Sequence, residues 1–197
     1  MQYIQKHNIR YLYHMTDLRN LASVLQHGLL SHNEAHRRGL VSEDISNQEV
    51  NKRRGETSID DTPLHDYVNF YFQPKNPMLS VKRDIQSQIV FLGADPRLLL
   101  EQTTVFSDGN AAADRTTFYR GTNLLDRLPW EAINAAYWID FADGKRIKCA
   151  EILVYPKVEV SNVLRIFCYP AARETTVQLV AASGLNIPVE VARHFYF

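Results

Sequence analysis

The chain has 197 residues, of which 45% are hydrophobic and 22% charged, a balance that suits one folded domain over residues 1–197 with a substantial core. Its 22 basic and 22 acidic residues cancel, so any affinity for nucleic acid has to come from local basic patches and not from bulk charge. Cys149 and Cys168 lack metal-ligand spacing, no apolar run is long enough to span a bilayer, and Met1 to Lys6 hold no apolar leader core, so the expectation is a cytoplasmic protein without disulfide, metal or membrane segment.

In chain order, Arg10 to His14 reads as a short strand. Asp17 is a candidate N-cap for a helix from Leu18 to His27 with Leu18, Leu21, Val24 and Leu25 on one face, and Gly28 suits a left-handed residue that ends it. Ser42 or Ser46 opens a second helix through Arg54, closed by Gly55, and Asp60-Asp61-Thr62-Pro63 marks a loop. Tyr67 to Phe72 is aromatic and β-branched enough for a strand, ended by Pro74 and Pro77. Ser87 to Gly93 is the next strand, Asp95 caps a short helix over Arg97 to Glu101, and Thr103 to Phe106 is a further strand. Ser107-Asp108-Gly109-Asn110 is turn chemistry that opens a loop. Pro129 starts a helix through Trp138, and Asp143-Gly144 predicts a hairpin-like turn into the strand that carries Glu151. Strands follow at Val163 to Tyr169 and Val189 to Phe197, with a helix from Arg173 to Ser183 between them. Helices cluster early and strands late, without βαβ alternation, which predicts an α+β fold with a mainly antiparallel sheet.

Glu151 is the informative residue. It stands in the apolar stretch Cys149-Ala150-Glu151-Ile152-Leu153-Val154, and a carboxylate is not buried without a partner because dehydrating its charge costs several kcal/mol. Two readings are open, a structural ion pair or a group held in place for chemistry. The chain lacks G-x-G-x-x-G, a phosphate-binding P-loop, H-E-x-x-H, C-x-x-C and G-x-S-x-G, which argues against the common nucleotide folds and metal hydrolases. His14 and Thr16 lie where a strand runs into a helix, a junction whose free N–H groups collect polar ligands, although a histidine there can also be satisfied by a core hydrogen bond. Lys52-Arg53-Arg54 can equally be a solvated helix end that complements the dipole. His7, His65 and His194 show no ligand-like grouping.

These segments, taken in order, resemble the DarT-type DNA ADP-ribosyltransferases, toxins of toxin–antitoxin pairs. The likeness rests on Tyr13-His14-Met15-Thr16 with Asn20-Leu21 and Val24 to Leu30, on Arg53-Arg54, on His65 to Phe72 with Pro74, Pro77, Met78 and Leu79, and on Trp130 to Trp138 followed by Ala150 to Val154. A smaller block runs from Val105 to Asp108 and on to Phe118-Tyr119, so the match covers roughly residues 10–170. Lys75-Asn76, Asn69 and Asn110 depart from the family's usual residues, whereas Arg54 and Glu151 are present.

The resemblance implies an ADP-ribosyltransferase fold with a split sheet, NAD+ as co-substrate and no metal. It makes Glu151 and Arg54 catalytic and assigns the cofactor to His14, Thr16, Asn20, Gly28, Leu30, Arg54 and Tyr71. A carboxylate beside the ribose stabilises positive charge as nicotinamide leaves, as in glycoside cleavage. An arginine is a poor general base, so Arg54 is expected to stabilise negative charge on the acceptor base or to position the pyrophosphate. The acceptor implied is thymine in single-stranded DNA, with guanine or RNA as alternatives and a protein acceptor or a non-catalytic binding module as further ones. The loop 108–117 is the expected recognition element, with Asn110 on a base edge and Arg115, Lys75 and Lys148 near the strand. The implied partner is a macrodomain antitoxin, and the chain is expected to act as a monomer.

Overall fold

The computed structural model describes residues 1–45 and 48–197. Twelve strands form within them: β1 Leu12–Asp17, β2 Leu29–Leu30, β3 Ser58–Ile59, β4 Thr62–Pro63, β5 Val68–Tyr71, β6 Ile89–Ala94, β7 Val105–Ser107, β8 Phe118–Tyr119, β9 Glu151–Val154, β10 Lys157–Val158, β11 Val163–Cys168 and β12 Val189–Val191. Eight of them build one sheet in the order β12-β11-β6-β1-β5-β9-β7-β8, and every pairing except β11 with β12 is antiparallel. The α-helices are α1 Gln2–Lys6, α2 Leu21–His27, α3 His32–Arg37, α4 Gln48–Glu56, α5 Pro77–Ser80, α6 Trp130–Asn134, α7 Gly144–Ile147 and α8 Arg173–Ala182. The expected α+β class with a mainly antiparallel sheet is what the chain adopts.

The sheet is split. β1 pairs with β6 along its whole length, from Leu12↔Ala94 to Asp17↔Ile89, and β5 pairs with β9 from Val68↔Val154 to Tyr71↔Glu151. Between these two halves β1 and β5 meet only at Tyr13↔Tyr71. Beyond that position the strands diverge, and the imidazole of His14 bridges them by donating from Nδ1 to the Asn69 carbonyl at 2.8 Å. Asn69 acts here through its main-chain oxygen, so its departure from the family's usual residue leaves this bond available.

Strand alternation sets the two faces. Val90, Leu92 and Ala94 of β6 enter the main core with Leu12, Leu21, Leu25, Phe70 and Ile152, while Ile89 and Phe91 pack on the other face with Phe167 and Tyr196. β6 is buried on both sides, which is why its sequence reads as an unbroken apolar run. In β9, Ile152 and Val154 join the main core and Leu153 packs on the opposite face with Tyr67, Val105 and Ala111. Glu151 shares Leu153's face.

Several boundaries differ from the sequence reading. Asp17 caps as expected, accepting from the Arg19 N–H, but the first turn is a 3-10 turn over Leu18–Asn20 that then widens into α2. Ser42 lies outside α4, Ser46 lies outside the described residues, and Gly55 sits inside α4 instead of closing it. The helix opened by Pro129 stops at Asn134 because the Lys148 ammonium takes the Ile133 and Ala135 carbonyls at 2.7 Å each. A helical turn, α7, replaces the expected hairpin at Asp143-Gly144, and the C-terminal strand ends at Val191, where Arg193–Phe195 turns to bring Tyr196 into the core.

Gly28 carries a real backbone demand. Its φ of 79° and ψ of −176° fall in a region essentially reserved for glycine, and not in the left-handed helical region that the sequence suggested. A Cβ there would lie 2.6 Å from the Val158 carbonyl oxygen. β2 can therefore pair with β10 only if residue 28 has no side chain. Gly28→Ala is expected to destabilise the fold by on the order of 1–3 kcal/mol, measured as a lowered urea midpoint with unchanged slope.

Candidate active site

The split opens a cavity of about 210 Å3 whose wall includes His14, Thr16, Asn20, Gly28, Leu30, Arg54, Tyr71, Asn110 and Glu151. All the residues that the sequence assigned to chemistry or cofactor thus meet in one place, although they are spread over more than half the chain. Glu151 comes from the first position of β9 and Tyr71 from the facing position of β5. Arg54 comes from the last turn of α4, and His14 and Thr16 from β1.

Glu151 is 1% exposed and both of its carboxylate oxygens are engaged. Oε2 accepts from Arg54 Nη1 at 2.7 Å, and Oε1 accepts from the Ala111 main-chain N–H at 2.9 Å. The carboxylate serves only as an acceptor, the role of its ionised form. Its own main-chain N–H donates to Ser107 Oγ at 3.1 Å, and that hydroxyl donates onward to the Gly109 carbonyl at 2.6 Å. Burial works against the charge on Arg54, but the Glu151 charge and hydrogen bond outweigh it and hold the guanidinium above its ordinary pKa. Of the two readings left open by the sequence, the ion pair is present: Glu151 is half of a buried pair with Arg54, and the pair faces the cavity.

The loop 108–117 is a pre-shaped element. Arg146 Nη1 donates to Asp108 Oδ1 at 2.7 Å and to Thr116 Oγ1 at 3.2 Å, while the Asn110 N–H donates to the Arg146 carbonyl at 3.0 Å. Asn110 Oδ1 accepts from the Ala112 N–H at 2.9 Å and Thr116 Oγ1 donates to the Asn110 carbonyl at 2.6 Å. These bonds aim the Ala111 N–H at Glu151.

Around this pair the other cavity groups have defined states. The Asn69 carbonyl can only accept, so Nδ1 of His14 carries the hydrogen and Nε2 is left as an acceptor. Burial pushes the His14 pKa down, only partly offset by that carbonyl, so the ring is neutral at physiological pH. Burial, and after it the Glu151 charge, raises the Tyr71 phenol well above its ordinary value, which keeps it a neutral hydroxyl. Asn20 lines the cavity with its side chain engaged inside the protein: its Oδ1 accepts from the Ser42 and Glu43 N–H groups at 2.9 and 3.1 Å, and its Nδ2 donates to the Glu43 carbonyl at 2.7 Å and to Thr16 Oγ1 at 3.2 Å. It anchors the segment that walls the cavity beside Thr16.

One of the sequence-derived DNA contacts needs correction. Lys148 is 5% exposed, with its ammonium spent on two carbonyls of the segment ending α6 and its pKa pulled down to about 8 by burial, so it is a structural lysine. Lys75 Nζ lies over the Phe197 ring, 4.8 Å from its centroid, and does not reach the cavity wall. Arg115 is exposed on the loop, away from the cavity wall, and only Asn110 of the four lines it. Sequence reasoning missed His32, His36 and Asp44, which also line the cavity; the His-x-x-x-His spacing of the first two on a helix was the available signal.

Three cavity histidines give the site a pH dependence. His14, His32 and His65 all have folded pKa values below their ordinary 6.5, burial being the first cause in each, and His32 falls to about 4. The unfolded chain then binds more protons than the folded one below that ordinary value, so the histidine contribution is fully present above 6.5 and is lost as the pH falls through the folded values. The expected result is a urea midpoint that declines from about pH 6.5 to about pH 5, above the carboxylate range. A His14→Gln variant should show a shallower decline over the same window.

Comparison with known proteins identifies the family. The family described as "ssDNA thymidine ADP-ribosyltransferase, DarT" matches residues 13–197. A DNA ADP-ribosyl transferase of Thermus sp. (strain 2.9) is 33% identical over 162 residues, covering 73% of this chain and 74% of its own. A DNA ADP-ribosyl transferase–DNA ADP-ribosyl glycohydrolase fusion protein of Thermosipho africanus is 29% identical over 194 residues, and this chain spans only 50% of its length. Among solved structures, Thermus sp. 2.9 DarT in complex with ADP-ribosylated ssDNA superposes with a TM-score of 0.88 at 26% identity, covering 96% of this chain and 97% of the other. The same protein in complex with NAD+ gives a TM-score of 0.82 at 26% identity, covering 96% and 98% of the two chains. The fold is the one these solved DarT structures share, and the chain belongs to the ssDNA thymidine ADP-ribosyltransferase, DarT, family.

Proposed function

We propose that the protein transfers ADP-ribose from NAD+ to thymine in single-stranded DNA, as the toxin of a pair whose macrodomain partner removes the mark. The observation that carries this reading is the Glu151 carboxylate, fixed by Arg54 and the Ala111 N–H inside a cavity that also holds His14, Thr16 and Tyr71. A neutral imidazole acceptor, a hydroxyl, a phenol and a guanidinium suit a hydroxyl-rich anionic dinucleotide, so the donor set fits NAD+. Support for the acceptor comes from the Thermus relative, whose solved complex contains ADP-ribosylated ssDNA. Support for reversal comes from the Thermosipho relative, in which the transferase is fused to a DNA ADP-ribosyl glycohydrolase.

The residue roles follow from charge and position. His14 Nε2 accepts from a ribose hydroxyl, with the Thr16 hydroxyl beside it. Tyr71 offers its ring to the nicotinamide, and Gly28 and Leu30 border the adenosine side. In the reaction, the bond from nicotinamide to ribose C1′ breaks with its electron pair leaving on nicotinamide, a bond forms from a thymine ring nitrogen to C1′, and that nitrogen gives up its proton. Glu151 faces the positive charge that develops at the sugar and is the carboxylate available to take the proton. Arg54 stays protonated and stabilises negative charge on the base carbonyls. In this reading Asn110, which lines the cavity, meets the base, and Arg115, exposed on the same loop outside the cavity, takes a phosphate.

Defined single-stranded oligonucleotides incubated with NAD+ and analysed by mass spectrometry are expected to gain one ADP-ribose on thymine. A product on guanine, on RNA or on protein alone would overturn the acceptor assignment. Glu151→Gln keeps an acceptor for the Ala111 N–H and is expected to fold while losing transfer by on the order of 10²–10³-fold or more. Arg54→Ala should cut transfer more than NAD+ affinity, read by single-turnover rates beside a binding titration; loss confined to NAD+ affinity would make Arg54 a cofactor clamp. Stability must be read in parallel, because removing Arg54 strands a buried carboxylate and costs about 3–5 kcal/mol.

A further inference from the structure

Three ligand-type side chains converge on the cavity wall opposite any role in the transfer described above. His32 and His36 stand four residues apart on α3 and so share one face. Their rings lie 4.2 Å apart between centroids, and Asp44, from the segment after α3, brings Oδ2 to 3.7 Å from His36 Nε2. One ligand atom from each of the three lies within 4.8 Å of the other two. Tetrahedral zinc bonds of about 2.0–2.2 Å space neighbouring ligand atoms about 3.3–3.6 Å apart, so the cluster needs a contraction of only about 1 Å to close on an ion. An independent observation sits beside it. His65 packs against His32 with ring centroids 4.3 Å apart, and its Nε2 is buried without a hydrogen-bond partner. A buried orphan of that kind is what a fourth ligand, or a water held on an ion, would satisfy.

We infer that His32, His36 and Asp44 bind one divalent zinc-class ion, with His65 completing its surroundings. Two imidazoles and a carboxylate suit zinc, and cobalt in its place, better than the oxygen-preferring calcium or magnesium. The ion joins α3 to the segment carrying Asp44, whose neighbour Glu43 is already anchored by Asn20. It therefore fixes the cavity wall from a second side. This site is absent from the sequence reading, which expected no metal.

The test uses the full chain, stripped with a chelator and titrated with Zn2+ against a chromophoric competitor. The wild type is expected to bind one equivalent, to gain thermal stability with the added ion, and to give a tetrahedral visible spectrum with Co2+. His36→Ala and Asp44→Asn should each lose at least about ten-fold in Zn2+ affinity together with the thermal gain, while His194→Ala behaves as wild type. His36 and Asp44 are exposed, and an unchanged melting temperature in chelator shows that each variant folds. Should one variant fail to fold, the other carries the test. Substoichiometric binding by the wild type, or undiminished binding by the folded variants, overturns the inference.

Discussion

A carboxylate taken out of water governs this structure. Glu151 can stay charged at the head of an apolar strand only because Arg54 and the Ala111 N–H meet its two oxygens. That requirement reaches three separate parts of the chain: the last turn of α4, the loop 108–117 and the first residue of β9. None of them can move alone without leaving a buried charge or a buried donor unmatched, and breaking such a pair costs more than the pair contributes. The geometry of the cavity is therefore set by electrostatic necessity as much as by packing.

The second constraint is the parting of the sheet. Strands that diverge expose unpaired main-chain groups, which a buried position does not tolerate. Here a side chain closes the gap, because His14 spends one nitrogen on the Asn69 carbonyl and keeps the other for the cavity. The same bond fixes the tautomer, so the ring's role towards a ligand is decided by the sheet. Tyr71 faces Glu151 across β5 and β9, which places the phenol and the carboxylate at one edge of the opening.

Much of this was legible before the coordinates. Asp17 and Asp95 announce their caps because capping is a local interaction, and Glu151 stands out because a lone acid in an apolar run needs an explanation. The family likeness then gathered His14, Thr16, Arg54 and Tyr71, and the cavity does contain them. What stayed illegible was set by distant contacts. The early stop of α6 depends on Lys148, which arrives from fourteen residues past its end. Lys148 was read as a DNA contact from the basic cluster it belongs to, whereas its burial on two carbonyls decides its role. Helix α3 is six residues long and mostly polar, so no apolar periodicity announces it, and with it the meeting of His32, His36 and Asp44 went unseen.

The bond from Ala111 to Glu151 uses the main chain. The loop's path is thus bound to the acid, while its outward side chains are not: Asp114 and Arg115 are exposed, and the bonds that shape the loop run through Asp108, Asn110, Thr116 and Arg146. Side chains at the tip can change without disturbing the acid, so this architecture uncouples the exposed surface of the loop from the buried charge beneath it.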